Sequence, residues 1–172
     1  MQKSNKKFFL WKLKQFGLKQ EELLIAWKVL LRPIAEYAAP LWHSGLLKSD
    51  SDKLERLQKR AVGLILGTTY VNFERRYKVK GKTVPYEAAL KYLQIPKLSE
   101  RRESLTRTFA IDTFNSERHK DFFEEKGNVR PNARFKPIVH EETCRTDRFR
   151  NSAIPYMSRL LNNTKIGNPD HL

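Results

Sequence analysis

The feature that most constrains this chain lies between Leu23 and Leu66, where apolar residues recur at three- and four-residue steps in two consecutive runs. This spacing places the side chains of each run on one face of an α-helix. Pro40 limits how far the first helix extends straight, and Ser44-Gly45 opens a turn before the second. The stretch therefore predicts two amphipathic helices that pack as a helical hairpin. The apolar positions are Leu23, Leu24, Trp27, Leu30, Leu31, Ile34 and Tyr37 in the first helix, and Leu54, Leu57, Ala61, Leu64 and Ile65 in the second.

Local signals mark the ends and the irregularities of these two helices. Pro33 lies inside the first helix and should kink it, because proline lacks a backbone donor and crowds the preceding turn. The side-chain oxygens of Ser49, Asp50 and Ser51 are candidates to cap the start of the second helix. Gly67 follows its last turn and suits the left-handed conformation that often ends a helix.

Further helices are predicted on both sides of the hairpin. A first one has lysines on its outer side and ends at Gly17, and its apolar face consists of Phe8, Phe9, Trp11 (or Leu10), Leu13 and Phe16. Downstream, Pro85 fits the first turn of another helix. Ser99 is expected to cap the next one, which runs to Phe114 and carries Arg101, Arg102 and Arg107 on its outer face.

The pattern predicts an all-α protein, a small helical bundle built on the hairpin with a basic loop and a largely irregular C-terminal tail. The helical domain covers residues 1–127, and the loop at 68–83 mixes basic and aromatic residues as an extended segment or a weak hairpin. The tail covers residues 128–172, where scattered prolines and arginines leave too few apolar residues to form a packed core. A short helix is expected only near residues 153–162.

Charge points to a polyanionic partner, since 34 lysines and arginines against 19 acidic residues give a formal net charge of +15. Nucleic acid is the first expectation and an acidic membrane surface the second. No apolar run approaches the roughly 20 residues that span a bilayer, so no membrane-spanning segment is predicted. Of the two polyanions, nucleic acid and not a membrane is the predicted partner. The single cysteine, Cys144, excludes an internal disulfide and fits an intracellular protein, nuclear or cytoplasmic.

No catalytic or metal-binding pattern emerges from the sequence. Asp50 and Asp52 are the closest acidic pair, and their position at a helix start is better explained by capping than by the binding of two metal ions. His140 and Cys144 have half of a zinc-site spacing, with no second pair to complete it. The chain is therefore expected to have no enzymatic activity, cofactor or metal ion.

The candidate nucleic-acid contacts lie on the outer face of the second hairpin helix, in the basic loop, and at the start of a later helix. Such cations grip phosphates without reading base edges, which favours tracking of the backbone over recognition of sequence. The candidates are Lys53, Arg56, Lys59, Arg60, Arg75, Arg76, Lys78, Lys80, Lys82, Arg101 and Arg102.

Several segments resemble the region after the palm in reverse transcriptases of jockey-type non-LTR retrotransposons. They are Leu30 to His43 with its Glu-Tyr-Ala-Ala-Pro-Leu-Trp element, Leu54 to Gly67 with Glu-Arg-Leu-Gln-Lys-Arg-Ala, Arg101-Arg102-Glu103, and Arg150 to Tyr156. The resemblance implies a thumb-like helical region with a C-terminal extension, lying against the primer–template duplex. In that family the catalytic aspartates lie upstream, in the palm.

Together, the residues and the resemblance favour a non-catalytic C-terminal fragment of an RNA-directed DNA polymerase that binds an RNA, DNA or hybrid duplex. The palm domain of an intact polymerase is a second possible partner. Two alternatives stay open, namely a helical protein-interaction module and a stand-alone nucleic-acid-binding protein.

Overall fold

The computed structural model describes residues 6–67, 78–79, 82–83, 85–123 and 137–163, and its secondary structure is almost entirely helical, which confirms the all-α prediction. The helices are α1 (Lys6–Gln15), α2 (Gln20–Ala26), a π-helical turn (Trp27–Leu31), α3 (Arg32–Glu36), α4 (Ala39–Trp42), α5 (Lys48–Leu66), α6 (Pro85–Leu93), α7 (Leu98–Asn115), a 3-10 turn (Lys120–Phe122), α8 (Asp147–Arg150) and α9 (Ala153–Asn163). Two short strands, β1 (Lys78–Val79) and β2 (Lys82–Thr83), pair antiparallel with Lys78 opposite Thr83. This pairing is the weak hairpin anticipated in the basic loop, most of which lies outside the described residues.

The chain divides into two compact units. Unit 1 contains Met1–Tyr37 and Leu47–Arg101, and unit 2 contains Ala38–Leu46 and Arg102–Leu172. The division therefore falls inside helix α7, whereas the sequence suggested a boundary at residue 127. The predicted hairpin is likewise divided, since the turn between its two helices belongs to unit 2.

The helix that contains Pro33 changes to a π-helical turn just before the proline, and the kink expected at Pro33 stays a prediction. The backbone N–H of Arg32 donates to the carbonyl of Trp27 five residues earlier, which is the bond of a π-helical turn. The helix resumes as α3 and ends at Glu36. A π-helical turn next to a proline is a recognised way for a helix to accommodate the missing backbone donor.

This π-helical turn changes which residues face the core. In a regular α-helix a four-residue step advances by about 40°, so residues four apart drift around the axis. The wider turn offsets this drift, and Leu23, Trp27, Leu31 and Ala35 are all buried. The predicted apolar face was wrong at three other positions, since Leu30, Ile34 and Tyr37 are 50%, 52% and 80% exposed.

Helix α5 is the centre of the core of unit 1, because it packs against α1, α2 and α6. The core cluster consists of Leu10, Leu23, Trp27, Leu31, Ala61, Val62, Ile65, Leu66, Ala89, Leu90, Leu93 and Ile95. The amine of Lys14 donates to the carbonyl of Leu64, which places a cation at the carboxyl end of α5. Gly67 has a positive φ of 55°, but its ψ of −122° lies outside the left-handed helical conformation that the sequence predicted. A Cβ there would lie 2.7 Å from the amine of Lys14.

The predicted cap of α5 was wrong. The helix begins at Lys48 with Leu47 as its N-cap, and no side chain caps it. Asp50 lies in its first turn and accepts a hydrogen bond from the amine of Lys53 at 2.7 Å. Ser49, Asp50 and Ser51 lie inside the helix, so none of them occupies the N-cap position.

Glu55 joins three helices of unit 1. Its carboxylate accepts a hydrogen bond from the hydroxyl of Tyr86 in α6 at 2.6 Å. It also accepts from the backbone N–H groups of Leu98 and Ser99 at 3.3 and 3.4 Å. Glu55 therefore supplies the cap of α7 that the sequence assigned to Ser99. The buried side chain of Gln58, one turn later, donates to the carbonyl of Pro96 at 2.9 Å.

In unit 2 the C-terminal tail contributes to a second core. Val139 and Met157 pack with Ala110, Phe123 and Leu161. The amide of Asn162 holds the irregular segment to α9, since its oxygen accepts from the N–H groups of Ile138 and Val139 and its nitrogen donates to the carbonyl of Val139. Helix α9 confirms the helix predicted near residues 153–162, and the sequence did not predict α8.

We expect Glu55→Gln to lower the free energy of unfolding by about 1–2 kcal/mol, because α7 loses its charged cap and Tyr86 loses a charged acceptor. Chemical denaturation followed by circular dichroism measures this. Asp52→Asn removes the same charge from an exposed position of α5 and is the control. Equal stability of the two variants would show that Glu55 does not hold these helices together.

Candidate nucleic-acid interface

The outer face of α5 carries four of the predicted contacts, Lys53, Arg56, Lys59 and Arg60, and all four side chains are exposed. At 100° per residue they fall within an arc of about 120°, and they span about 10 Å along the axis. The opposite face is fixed in the core by the buried residues Gln58, Ala61, Val62, Ile65 and Leu66. A rigid helix therefore presents a row of cations to solvent.

Most of this row is not neutralised by nearby carboxylates. Lys53 forms an ion pair with Asp50 at 2.7 Å. Within the described part of the chain, Arg56, Lys59 and Arg60 form no ion pair. Their charges are therefore available to an external anion.

The two arginines at the start of α7 do not join this surface. The Nε atom of Arg101 lies 2.9 Å from a carboxylate oxygen of Glu36, which also pairs with Arg32 at 3.5 Å. Burial and the nearby Arg101 lower the pKa of Arg32, while Glu36 opposes that change. Arg101 is thus engaged within unit 1, where its carboxylate partner competes with any phosphate.

The expectation that Arg102 contacts a phosphate was wrong. Its side chain has an exposed fraction of 0%, and its guanidinium lies 5.8 Å from the ring centre of Trp42. The sequence places Arg102 on the polar face of α7, but in the structure this position is buried in unit 2. There Trp42 of α4 supplies an aromatic ring on which a guanidinium can stack. Arg102 belongs to the interior of unit 2.

The remaining predicted contacts lie in and around the short strands. Lys78 and Lys82 belong to the paired strands β1 and β2, where the structure describes the backbone and not the side chains. The other three, Arg75, Arg76 and Lys80, lie outside the described residues. Their role in binding stays a prediction.

His43 occupies a partly buried position in unit 2. Its ring meets the ring of Tyr156 edge-on at 6.3 Å, and its Nδ1 atom has no hydrogen-bond partner among the described residues. Burial lowers the pKa of His43, the positive charge of Arg102 lowers it further, and Glu103 opposes both effects. The folded state therefore favours the neutral imidazole.

Because the pKa of His43 is lower in the folded than in the unfolded state, the unfolded chain binds a proton more readily. Stability from this residue is present above the unfolded pKa, about 6.5, and is lost as the pH falls below it. We expect the Tm to fall less in His43→Gln than in the unaltered chain between about pH 7.5 and 5.5. His119→Gln, at an exposed histidine, should behave like the unaltered chain, and equal pH dependence of all three proteins would contradict this role.

Neither a metal site nor a membrane span is found in the described residues. Within the described ranges no cluster of three or more His, Cys, Asp or Glu residues could hold a metal ion. Cys144 donates through its Sγ atom to the carbonyl of Glu142 at 3.3 Å, and His140 is exposed. None of the helices in the part of the chain that the structure describes is both long and apolar enough to cross a membrane.

The sequence interpretation missed two surfaces. In unit 1, an apolar stripe is exposed along α2, the π-helical turn and α3, and it consists of Ile25, Val29, Leu30, Ile34 and Tyr37. In unit 2, Phe149 on α8 is exposed and is flanked in the sequence by the exposed residues Arg148 and Arg150. The signals were present: Ile25 and Val29 are four residues apart like the core positions, and Arg148-Phe149-Arg150 interleaves charge and ring.

Comparison with known proteins identifies no relative of this chain. No family model, curated protein or solved structure matches it. The likeness to jockey-type reverse transcriptases consequently stands on the sequence segments alone.

Proposed function

We propose that this protein binds the phosphate backbone of a nucleic-acid duplex through the outer face of α5. In this proposal it is the non-catalytic, thumb-like C-terminal region of a retrotransposon RNA-directed DNA polymerase. The assignment to that family rests on the resemblance of its sequence segments, and the binding mode rests on the geometry of α5.

The observation that carries the proposal is the contrast between the two faces of α5. One face supplies core residues, and its Glu55 caps a neighbouring helix. The other presents Arg56, Lys59 and Arg60, which have no ion-pair partner among the described residues. A preformed helix with a row of unneutralised cations can bind a regular array of phosphates without first having to order its backbone, which lowers the entropy lost on binding.

The composition of this face provides no side chain for the direct readout of adenine. Direct readout of adenine uses a bidentate asparagine or glutamine. The only such residue in the described helix α5 is Gln58, which is buried and donates to Pro96. Lysine and arginine side chains bind phosphates at any sequence, which suits a protein that must move along a duplex.

The triple variant Arg56→Gln, Lys59→Gln, Arg60→Gln tests this mechanism. For a B-form DNA duplex, we expect the slope of log K against log salt to become shallower by about 2.7, because about 0.9 is lost for each phosphate contact. Fluorescence anisotropy over a salt series measures the slope, and RNA and hybrid duplexes in parallel reveal the preferred form.

The matched control is Lys19→Gln, Lys28→Gln, Lys91→Gln, which removes the same charge from other positions of unit 1. This control should change the slope much less than the α5 variant. If the two triple variants changed the slope equally, binding would be a diffuse effect of net charge, and the assignment to α5 would fail. Failure of the unaltered chain to bind any duplex at low salt would remove the proposed function altogether.

The exposed apolar stripe of unit 1 favours a second candidate function, in which the chain docks on the palm domain of an intact polymerase. Ile25, Val29 and Ile34 are aliphatic and more than half exposed. Several large apolar residues exposed along one segment often mark a protein interface. A palm domain is the occupant that the sequence resemblance implies.

We expect Ile25→Glu combined with Ile34→Glu to weaken binding to a separately produced palm domain of a jockey-type reverse transcriptase at least about tenfold, since two charges would be buried without partners. Isothermal titration calorimetry measures the affinity. Phe16→Glu with Leu47→Glu alters two exposed apolar residues outside the stripe and should have little effect. Equal weakening by both pairs, or no binding by the unaltered chain, would exclude this role.

A further inference from the structure

Helix α8 in unit 2 presents an aromatic ring among arginines. Phe149 is 45% exposed although it is a large apolar residue, and Arg145, Arg148 and Arg150, which are close to it in the sequence, are also exposed. Asp147 is the only acidic residue between Arg145 and Arg150. We define these four residues, Arg145, Arg148, Phe149 and Arg150, as the α8 patch.

The backbone that carries Phe149 is fixed from both sides. Its N–H donates to the hydroxyl of Thr146 at 3.2 Å, which is an N-cap hydrogen bond, and its carbonyl accepts from the hydroxyl of Ser152 at 2.7 Å. The N–H of Arg150 donates to the carbonyl of Thr146 at 2.9 Å. Helix α8 also contacts α9, which belongs to the core of unit 2. The backbone at Phe149 is therefore held in place before any ligand arrives, which lowers the entropy lost on binding.

The arginines of the α8 patch can bind an external anion. In the described part of unit 2, none of Arg145, Arg148 and Arg150 forms an ion pair. Arg148 and Arg150 are the immediate neighbours of Phe149, so on a helix their side chains leave the axis on either side of the ring. An exposed ring between two cations matches a ligand that alternates flat apolar groups with anions.

We propose that the α8 patch binds single-stranded nucleic acid, with a base stacked on Phe149 and the adjacent phosphates bound by Arg148 and Arg150. Each base of a duplex is covered by its neighbours on both faces, whereas a base of a single strand offers a free face to an aromatic side chain. Ribose and deoxyribose strands share this chemistry. This site is separate from the duplex grip on α5, and it does not depend on that grip.

The test compares Phe149→Leu with Phe122→Leu in the full chain. Phe122 is also exposed in unit 2, but its neighbours are Asp121 and Phe123 in place of arginines. We expect Phe149→Leu to weaken binding of 12-nucleotide oligo(dT) and oligo(rU) about tenfold, because stacking is lost while an apolar side chain remains. Phe149→Tyr should retain binding, and Phe122→Leu should leave it unchanged. Fluorescence anisotropy at low salt gives these affinities.

A second comparison separates stacking from charge. An oligonucleotide of the same length with abasic positions should bind the unaltered chain as weakly as oligo(dT) binds Phe149→Leu. Arg148→Gln should reduce the affinity for both strands, and Arg118→Gln, at another exposed arginine of unit 2, should reduce it less. Equal binding of abasic and normal strands, or equal effects of Phe149→Leu and Phe122→Leu, would overturn the proposal.

A blunt duplex and acidic vesicles distinguish single-strand binding at the α8 patch from duplex binding at α5 and from membrane binding. On the blunt duplex, Phe149→Leu should bind like the unaltered chain, so a failure of the α5 mechanism and a failure of the α8 patch give different results. Vesicles of phosphatidylcholine and phosphatidylserine serve as the other polyanion. If Phe149→Leu weakened binding to these vesicles and not to oligonucleotides, the patch would bind an acidic membrane surface and the proposal would be wrong.

Discussion

The carboxylate of Glu55 is the interaction on which the arrangement of unit 1 most depends. It accepts hydrogen bonds from Tyr86 and from the first N–H groups of α7, so one side chain of α5 positions two other helices. Without it, the start of α7 would leave partly buried backbone donors unpaired, which is costly. The same orientation of α5 that points Glu55 inward points Arg56, Lys59 and Arg60 to solvent.

Acidic and basic residues have different roles in this arrangement. Several of the acidic residues have partners within the protein. Glu55 caps a helix, and Glu36 pairs with Arg32 and Arg101. Glu22 accepts a hydrogen bond from the backbone N–H of Lys19. Among the described residues, many of the more numerous cations are exposed and form no ion pair. The positive exterior is thus a consequence of how carboxylates are used in folding as well as of the composition.

The proposed activities place different ligands on the two units. Helix α5 of unit 1 offers a rigid row of cations without a ring, which suits the continuous backbone of a duplex. The α8 patch of unit 2 offers cations around an aromatic ring, which suits unstacked bases. Both surfaces are built on helices whose other contacts are satisfied within the same unit, so ligand binding would require little refolding of either one.

The sequence by itself determined the helical class, the positions of α1, α5, α6 and α9, and the cationic outer face of α5. These features depend on local periodicity and on residues such as Gly67 and Pro85, whose backbone preferences act without distant partners. Only the tertiary structure decided that Glu55 and not Ser99 caps α7, and that Arg102 is buried beneath Trp42. It also decided that Leu30 and Ile34 are exposed in and after a π-helical turn. In each case the outcome depends on a contact between residues far apart in the chain or on a shift in helical register, and neither is encoded in the spacing of neighbouring residues.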